Sequence, residues 1–172
     1  EPGFARAMDQ QREQSRKSWK GSDVDHLEAG LIELAHQGRR TRFIGYTATR
    51  GVAAVEGIVN AAGQLVDEAQ AGETLRVLCA QTPFYAESGG QVGDTGELDE
   101  QGMRFIVNDT LKLAGQFHGH VGTLSAGALK RGDRVLGSVD GARRGATILN
   151  HSATPLLHAA LRDVLGTHVQ QK

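Results

Sequence analysis

The chain has 172 residues, a formal net charge of −1 and a hydrophobic fraction of 39%, enough apolar material for the core of one medium-sized domain. No apolar run approaches the roughly 20 residues that a membrane-spanning helix needs. The single cysteine, Cys79, excludes an internal disulfide and is expected to be a small buried residue of a strand. Aromatic residues make up only 5%, whereas there are 23 glycines, a balance that favours a turn-rich β domain over a helical bundle.

The small net charge conceals an uneven distribution along the chain. Residues 1–50 carry 9 basic and 7 acidic side chains, residues 51–100 carry 1 and 9, and residues 101–172 carry 9 and 4. A polyanion would therefore be attracted to the two ends and repelled by the middle. The pattern is compatible with RNA passing one face, although solvated charged faces have the same composition.

Residues 3–20 are predicted to form a helix, because small and apolar side chains fall on one stripe among charged ones. This helix either faces RNA or closes a preceding helical domain, and the second interpretation is favoured. Residues 21–25 have the composition of a linker. Residues 26–37 can form a short helix. Three arginines follow it and could contact phosphate, although a solvated linker is the simpler interpretation: Arg39, Arg40 and Arg42.

From residue 43 onward the predicted elements are short strands separated by glycine-rich turns, as in a sandwich or a closed barrel. The predicted strand segments are residues 43–46, 52–60, 75–79, around 98, 105–107, 111–120 and 135–139. In the segment FHGH, His118 and His120 could lie on one side of a strand, but a turn is the favoured interpretation.

The stretch Gln81–Gly96, QTPFYAESGGQVGDTG, is predicted to be a tight loop between two strands. The paired glycines Gly89 and Gly90 allow positive φ angles and close approach of the backbone. The aromatic pair Phe84 and Tyr85 can anchor such a loop to the core.

A long amphipathic helix of about seven turns is predicted from Asp140, a possible N-cap, to Gly166, a C-terminal stop. Pro155 interrupts this pattern, because it removes a backbone donor and clashes with the preceding turn. The helix is therefore expected either to kink at Thr154 or to start nearby, with Ser152 as its N-cap. The elements together predict an α+β fold: a Gly-rich antiparallel β-barrel between an N-terminal helical tail and a C-terminal amphipathic helix.

Two segments resemble alanine–tRNA ligases, in the order and at the distance expected: TPFYAESGGQVGD (residues 82–94) and NHSATPLLHAALRDVLGTHVQQK (residues 150–172). The first also resembles the start of freestanding alanyl-tRNA deacylases. The resemblance covers essentially the whole chain, most weakly over residues 1–60. Because residue 1 is Glu and not Met, we expect an internal piece of a longer protein.

The resemblance implies three parts. Residues 1–37 would be the end of a helical tRNA-recognition domain, residues 38–139 a β-barrel like that of translation factors, and residues 140–172 the first helix of an editing domain. The parent enzyme would attach alanine to tRNA(Ala) with ATP and Mg²⁺ in a catalytic domain whose motifs are absent from this chain. It would also hydrolyse misattached Ser or Gly at a zinc-containing editing site.

The resemblance also implies a cytoplasmic protein with tRNA as its partner and with neither membrane nor DNA. No catalytic residue is expected within these 172 residues, and the isolated chain is expected to be inactive.

The family carries an HxxxH pair of zinc ligands at residues 151–155. The resemblance therefore makes His151 the first metal ligand, whereas Pro155 replaces the second; the remaining family ligands, a Cys-x-x-x-His, would lie farther downstream. Zinc binding by this chain is accordingly not expected. The resemblance also assigns Thr154 and Gln171 to the editing pocket. The plainer interpretations are a capping or solvated Thr154 and a Gln171 in a polar terminal run.

Two other functions remain open from the sequence. One is a freestanding editing deacylase, against which the predicted helix at residues 3–20 and the incomplete metal set both count. The other is a non-catalytic β-barrel module that binds RNA or protein, which would suit the loss of the second histidine at Pro155.

Overall fold

The computed structural model of the chain describes residues 30–166 and residue 168. The helix predicted over residues 3–20 and the linker over residues 21–25 lie outside the described residues. Residues 30–36 are helical (α1), which confirms the described part of the helix predicted over residues 26–37. α1 packs on the barrel through Leu31 and Leu34, which are buried together with two barrel residues, Leu78 and Phe117.

The described residues form eleven strands and, after them, one long helix. The strands are β1 (Arg42–Phe43), β2 (Arg50–Val59), β3 (Leu65–Val66), β4 (Glu68–Gln70), β5 (Thr74–Cys79), β6 (Gln81–Thr82), β7 (Gly96–Glu100), β8 (Met103–Leu113), β9 (Phe117–Ala126), β10 (Ala128–Lys130) and β11 (Arg134–Val139). The helix is α2 (Gly141–Leu165).

Six of these strands form a closed antiparallel barrel. They are hydrogen-bonded in the order β2–β5–β9–β8–β7–β11, and β11 pairs back with β2. Two short pairs lie outside this ring: β1 pairs with β6 in parallel, and β4 pairs with β10 antiparallel. Closure satisfies the backbone of both edge strands. The predicted α+β fold with an antiparallel barrel is therefore confirmed.

The barrel core is built by alternating side chains of these strands, as the period of two predicts. The core residues come from every barrel strand: Ala53, Val55, Ile58, Leu75, Val77, Cys79, Leu98, Met103, Phe105, Val107, Leu124 and Val135. Gly122 shows how tightly two strands approach, since a Cβ atom there would lie 1.8 Å from the carbonyl oxygen of Ile106. Cys79 is buried in β5, as expected.

Three local predictions were wrong. Residues 111–120 are not one strand, because β8 ends at Leu113 and a hairpin turn leads into β9 at Phe117. Gly115, with φ 72°, provides the reversal, while apolar residues on both sides of it hide the turn from a hydrophobic pattern. His118 and His120 consequently lie in a strand and not in a turn. Tyr46, predicted to be in a strand, lies in the turn after β1.

Helix α2 runs without interruption for 25 residues, which confirms its predicted length. The side chain of Asp140 caps it by accepting hydrogen bonds from the N–H groups of Ala142 and Arg143, both at 3.1 Å, and Gly166 ends it. Pro155 lies inside the helix, so the alternative of a shorter helix starting near Ser152 is wrong. Good helix formers, mainly Leu and Ala, flank the proline and favour continuation in spite of a cost of roughly 3 kcal/mol.

None of the described residues of α2 is buried. Seven large apolar side chains on the helix and its end are exposed: Ile148, Leu149, Leu156, Leu157, Leu161, Val164 and Leu165. The apolar side chains of the helix are therefore not covered by the barrel. No helix in the described part of the chain is both long and apolar enough to cross a membrane.

Candidate site between the glycine loop and helix α2

The segment between β6 and β7, residues 83–95, is called the glycine loop below. Phe84 is fully buried and anchors it, as predicted from the aromatic pair. At its tip, Gly89 and Gly90 have φ angles of 60° and 83°, so the expected left-handed conformation is confirmed. Ser88 and Gln91 close the tip by exchanging backbone hydrogen bonds of 3.3 and 3.1 Å. The tip is therefore a defined turn with its backbone exposed on both glycines.

Arg144, in the first turns of α2, fixes the helix to the glycine loop. Its guanidinium forms an ion pair with Asp94, with Nε 3.2 Å from Oδ1. It also donates to the carbonyl oxygens of Pro83 at 2.6 Å and Gly45 at 3.2 Å. Asp94 accepts in addition from the backbone N–H of Tyr85 at 2.6 Å. Both side chains of the ion pair are mostly buried, so the pair is a substantial constraint on the direction of α2.

A cleft of about 540 Å³ lies between the tip of the glycine loop and one face of α2. It is called the loop–helix cleft below. The loop lines it with Gly89, Gly90, Gln91 and Val92, and the helix with Thr147, Asn150, His151, Thr154 and Pro155. The helical positions are spaced by three and four residues, which places them on one face. The two segments that resemble alanine–tRNA ligases are therefore brought together in one cleft.

The structure brings two of the predicted site residues, His151 and Thr154, to this cleft. Both are exposed. The Thr154 hydroxyl donates to the carbonyl oxygen of Asn150 at 2.8 Å, so its oxygen remains available as an acceptor. Gln171, the third predicted residue, lies outside the described residues. Sequence reasoning missed Thr147, four residues before His151, and Asn150, four residues before Thr154, although a spacing of four places side chains on one helical face.

The residues of the loop–helix cleft do not fit a zinc ion. A structural or catalytic zinc site needs three or four nitrogen, sulfur or oxygen ligands. His151 supplies one imidazole, and Pro155, one helical turn later, has no ligand atom. Throughout residues 30–166 and residue 168, no group of three or more His, Cys, Asp or Glu side chains is arranged to hold a metal ion.

A family model described as "tRNA synthetases class II (A)" matches residues 1–143. The chain belongs to the class II tRNA synthetases. Curated relatives are named alanine–tRNA ligase: the chain is 55% identical over 170 residues to that of Stenotrophomonas maltophilia, and 52% identical to those of Xanthomonas euvesicatoria and Xanthomonas axonopodis. Each match covers 99% of this chain and 19% of the relative.

The chain thus spans about a fifth of the length of the relatives it matches. The family resemblance inferred from the glycine loop and the C-terminal segment is confirmed.

Proposed function

We propose that the chain is an internal part of an alanine–tRNA ligase, a cytoplasmic enzyme that attaches alanine to tRNA(Ala). The identities of 52–55% to proteins of that name support the assignment, and the 19% coverage of those proteins supports a longer parent. The parent would use ATP and Mg²⁺ in a catalytic domain outside these residues. We keep the division into residues 1–37, 38–139 and 140–172 as part of this proposal.

Within that enzyme, we propose that the loop–helix cleft forms part of the site that hydrolyses misacylated Ser- or Gly-tRNA(Ala). The observation that carries this proposal is the meeting of the glycine loop with the face of α2 that bears His151 and Thr154. A Cβ atom built on Gly89 or Gly90 would meet nothing within 4 Å, so the loop backbone is open to a ligand. Asn150, His151 and Thr154 can hydrogen-bond the amino group and hydroxyl of a misattached serine.

The proposed role of this chain is to bind and orient the ester, not to cleave it. Its residues do not fit zinc, and the cleft offers one imidazole without a second titratable partner. A positioning site of this kind distinguishes substrates by the hydrogen bonds they form with it. A substrate that leaves a polar group of the site buried and unpaired binds less tightly. The isolated chain would accordingly be inactive as a deacylase. We assign Gln171 to the same pocket on the resemblance alone.

The test is deacylation of Ser-tRNA(Ala) by the full-length ligase, compared with its His151→Ala and Thr154→Val variants. Thr154→Val keeps the shape of the side chain and removes its hydroxyl. We expect Ser-tRNA(Ala) hydrolysis to fall by about tenfold or more, consistent with the loss of one specific hydrogen bond. Alanylation of tRNA(Ala) should be unchanged and serves as the control for folding. Unchanged hydrolysis in both variants would remove the basis for an editing role.

A non-catalytic RNA-binding role is the second candidate, and Pro155 favours it because the helix lacks the second imidazole that the family carries. In that case the natural ligase would bind tRNA(Ala) in a salt-dependent manner and show no Ser-tRNA(Ala) hydrolysis above background. A freestanding deacylase is the weakest alternative, because the synthetase family model matches from residue 1 to residue 143.

A further inference from the structure

A second cleft, of about 350 Å³, shares no lining residue with the loop–helix cleft. We call it the aromatic cleft. Its lining side chains include Phe43, Tyr46, Tyr85, Ser88, Lys112 and His118. Ser88 precedes Gly89 in the chain, so the two clefts adjoin the same glycine loop.

Four rings form the aromatic cleft, and Phe43 is at their centre. The Phe43 ring stacks on the His118 imidazole, with centroids 5.5 Å apart and planes 27° from parallel. Tyr46 and Tyr85 meet Phe43 edge-on, with centroid distances of 4.9 and 6.1 Å. Tyr46 is nevertheless 88% exposed, which is unusual for an aromatic residue in a ring cluster. The cluster therefore presents an open aromatic surface to a ligand.

The His118 imidazole adds a directional hydrogen-bond acceptor to this surface. Its Nδ1 lies 3.0 Å from the carbonyl oxygen of Phe84, which can only accept, so Nδ1 carries the proton. Burial lowers the pKa of His118 below its ordinary value, so the ring is neutral at pH 7. Nε2 is then an unprotonated acceptor. Nε2 has no hydrogen-bond partner among the described residues. Because every buried side-chain polar atom in this part of the chain has a partner, Nε2 must be accessible to solvent.

Lys112 supplies the charge of the aromatic cleft. It is exposed in β8, and it is the one charged side chain among those that line the cleft. An ammonium group beside an open aromatic face is the combination that contacts a phosphate while the neighbouring base stacks. A purely apolar peptide side chain would make no use of either Lys112 or the His118 acceptor.

We propose that the aromatic cleft binds an unpaired base of single-stranded RNA. The base stacks on the exposed aromatic surface at Tyr46, a base N–H donates to Nε2 of His118, and Lys112 contacts an adjacent phosphate. Unpaired bases are the parts of RNA that aromatic side chains can reach, because bases in a duplex are already stacked. This binding goes beyond the proposed editing role and does not depend on hydrolysis.

The test measures the binding of a fluorescent single-stranded RNA of about eight nucleotides to the 172-residue chain by anisotropy. The same RNA annealed into a blunt duplex is the comparison. We expect Tyr46→Leu to weaken single-strand binding by about tenfold and to leave duplex binding unchanged, since Leu keeps apolar bulk and loses the flat ring. Tyr46→Phe should bind nearly as the natural chain does. The exposure of Tyr46 makes all these variants compatible with folding.

Lys112→Ala and Lys130→Ala each remove one exposed lysine of the barrel, and Lys130 lies in a different cleft, where it pairs with Glu68 at 3.3 Å. The slope of log K against log salt should fall by about 0.7 for Lys112→Ala and stay constant for Lys130→Ala. Equal effects of the two lysines would indicate general charge attraction and overturn the proposal. So would a Tyr46→Leu variant that binds like the natural chain, an equal preference for duplex, or no RNA binding. None of these outcomes alters Ser-tRNA(Ala) hydrolysis, which tests the editing proposal separately.

Discussion

Thr82 and His120 form a fully buried hydrogen bond, with Thr82 Oγ1 2.7 Å from His120 Nε2. The other ring nitrogen, Nδ1, lies 2.7 Å from the carbonyl oxygen of Val77 and must carry the proton, because a carbonyl only accepts. The Thr82 hydroxyl therefore donates to Nε2, and its oxygen accepts from the N–H of Phe84 at 3.1 Å. This chain of bonds connects β5, β9 and the start of the glycine loop.

The first prediction is that stability falls as pH is lowered from 7 to 5. Burial lowers the pKa of His120 to about 4, outweighing the hydrogen bond to Val77, which raises it. The unfolded chain binds a proton near pH 6.5 and the native chain does not until about pH 4. Between those values the unfolded state holds more protons, so acidification favours unfolding, by about 2 kcal/mol at pH 5. Urea unfolding at pH 7, 6 and 5 measures it.

His120→Gln is the control for this pH dependence, because glutamine can donate and accept but does not titrate. Its stability at pH 7 is expected to be lower, since the exact geometry of the bonds to Thr82 and Val77 is lost. The loss between pH 7 and pH 5 should shrink by most of the predicted amount. A pH slope that is identical in the natural chain and in His120→Gln would show that other groups cause it.

The second prediction concerns the ion pair between Arg144 and Asp94. Arg144→Met leaves the largely buried Asp94 carboxylate without its cation, and we expect a loss of about 3 kcal/mol in the free energy of unfolding. The double variant Arg144→Met/Asp94→Asn should lose less free energy of unfolding than the two single variants together, because either substitution alone already removes the ion pair. Chemical denaturation of the four proteins measures the cycle.

Arg143→Met provides the matched control for the ion pair. Arg143 precedes Arg144 in the same helical turn but is exposed, so its replacement should change stability by less than about 0.5 kcal/mol. If Arg143→Met and Arg144→Met were equally destabilised, general helix effects would explain the loss and the ion pair would not.

Much of the barrel could be predicted from the sequence, because buried strands alternate and glycine turns interrupt them. The strand of residues 52–60 and the turn after it are examples. The hairpin between β8 and β9 was missed because Leu111, Leu113 and Phe117 continue an apolar pattern across the turn. Only Gly115 signals the reversal, and a single glycine is a weak signal in a chain with 23 of them.

The candidate site was harder to predict than the barrel. His151 and Thr154 could be selected by resemblance, but their position opposite the glycine loop depends on the contact of Arg144 with Asp94, which is 50 residues away. No periodicity connects residues so far apart. The aromatic cleft has the same origin, because Phe43, Tyr85 and His118 come from three separate segments that meet only in the folded barrel.

The third prediction is that Pro155 weakens the second half of α2. Without an N–H at Pro155, the carbonyl oxygen of His151 loses its donor within the helix. Pro155→Ala should therefore increase the circular dichroism signal at 222 nm and slow amide exchange in residues 156–165. The expected gain in local stability is up to roughly 3 kcal/mol. An unchanged helix signal in Pro155→Ala would contradict this account.

Pro155→His extends this comparison to metal binding. It restores the same N–H as Pro155→Ala and adds an imidazole one turn after His151, a spacing at which two histidines can supply two zinc ligands while water oxygens supply the others. Zinc should bind Pro155→His in a calorimetric titration and increase its helicity, and a chelator should reverse both changes. Pro155→Ala and the natural chain should show neither response. Equal zinc binding by all three proteins would place the ion elsewhere on the chain.

The last prediction is that the thiol of Cys79 is protected until the barrel opens. Cys79 is 2% exposed in β5, and burial, followed by the charge of Glu56, raises its pKa from 9.0 to about 12. Because only the thiolate attacks disulfide reagents, this shift alone lowers the reactive fraction about 1,000-fold at neutral pH. Ellman's reagent should label the native chain far more slowly than the urea-unfolded chain.

As a control, Cys79→Ala/Ser125→Cys moves the thiol to an exposed position of the same barrel and should react at once. Native labelling of Cys79 at the rate of that control would mean that β5 opens readily, and the barrel core described above would then be wrong.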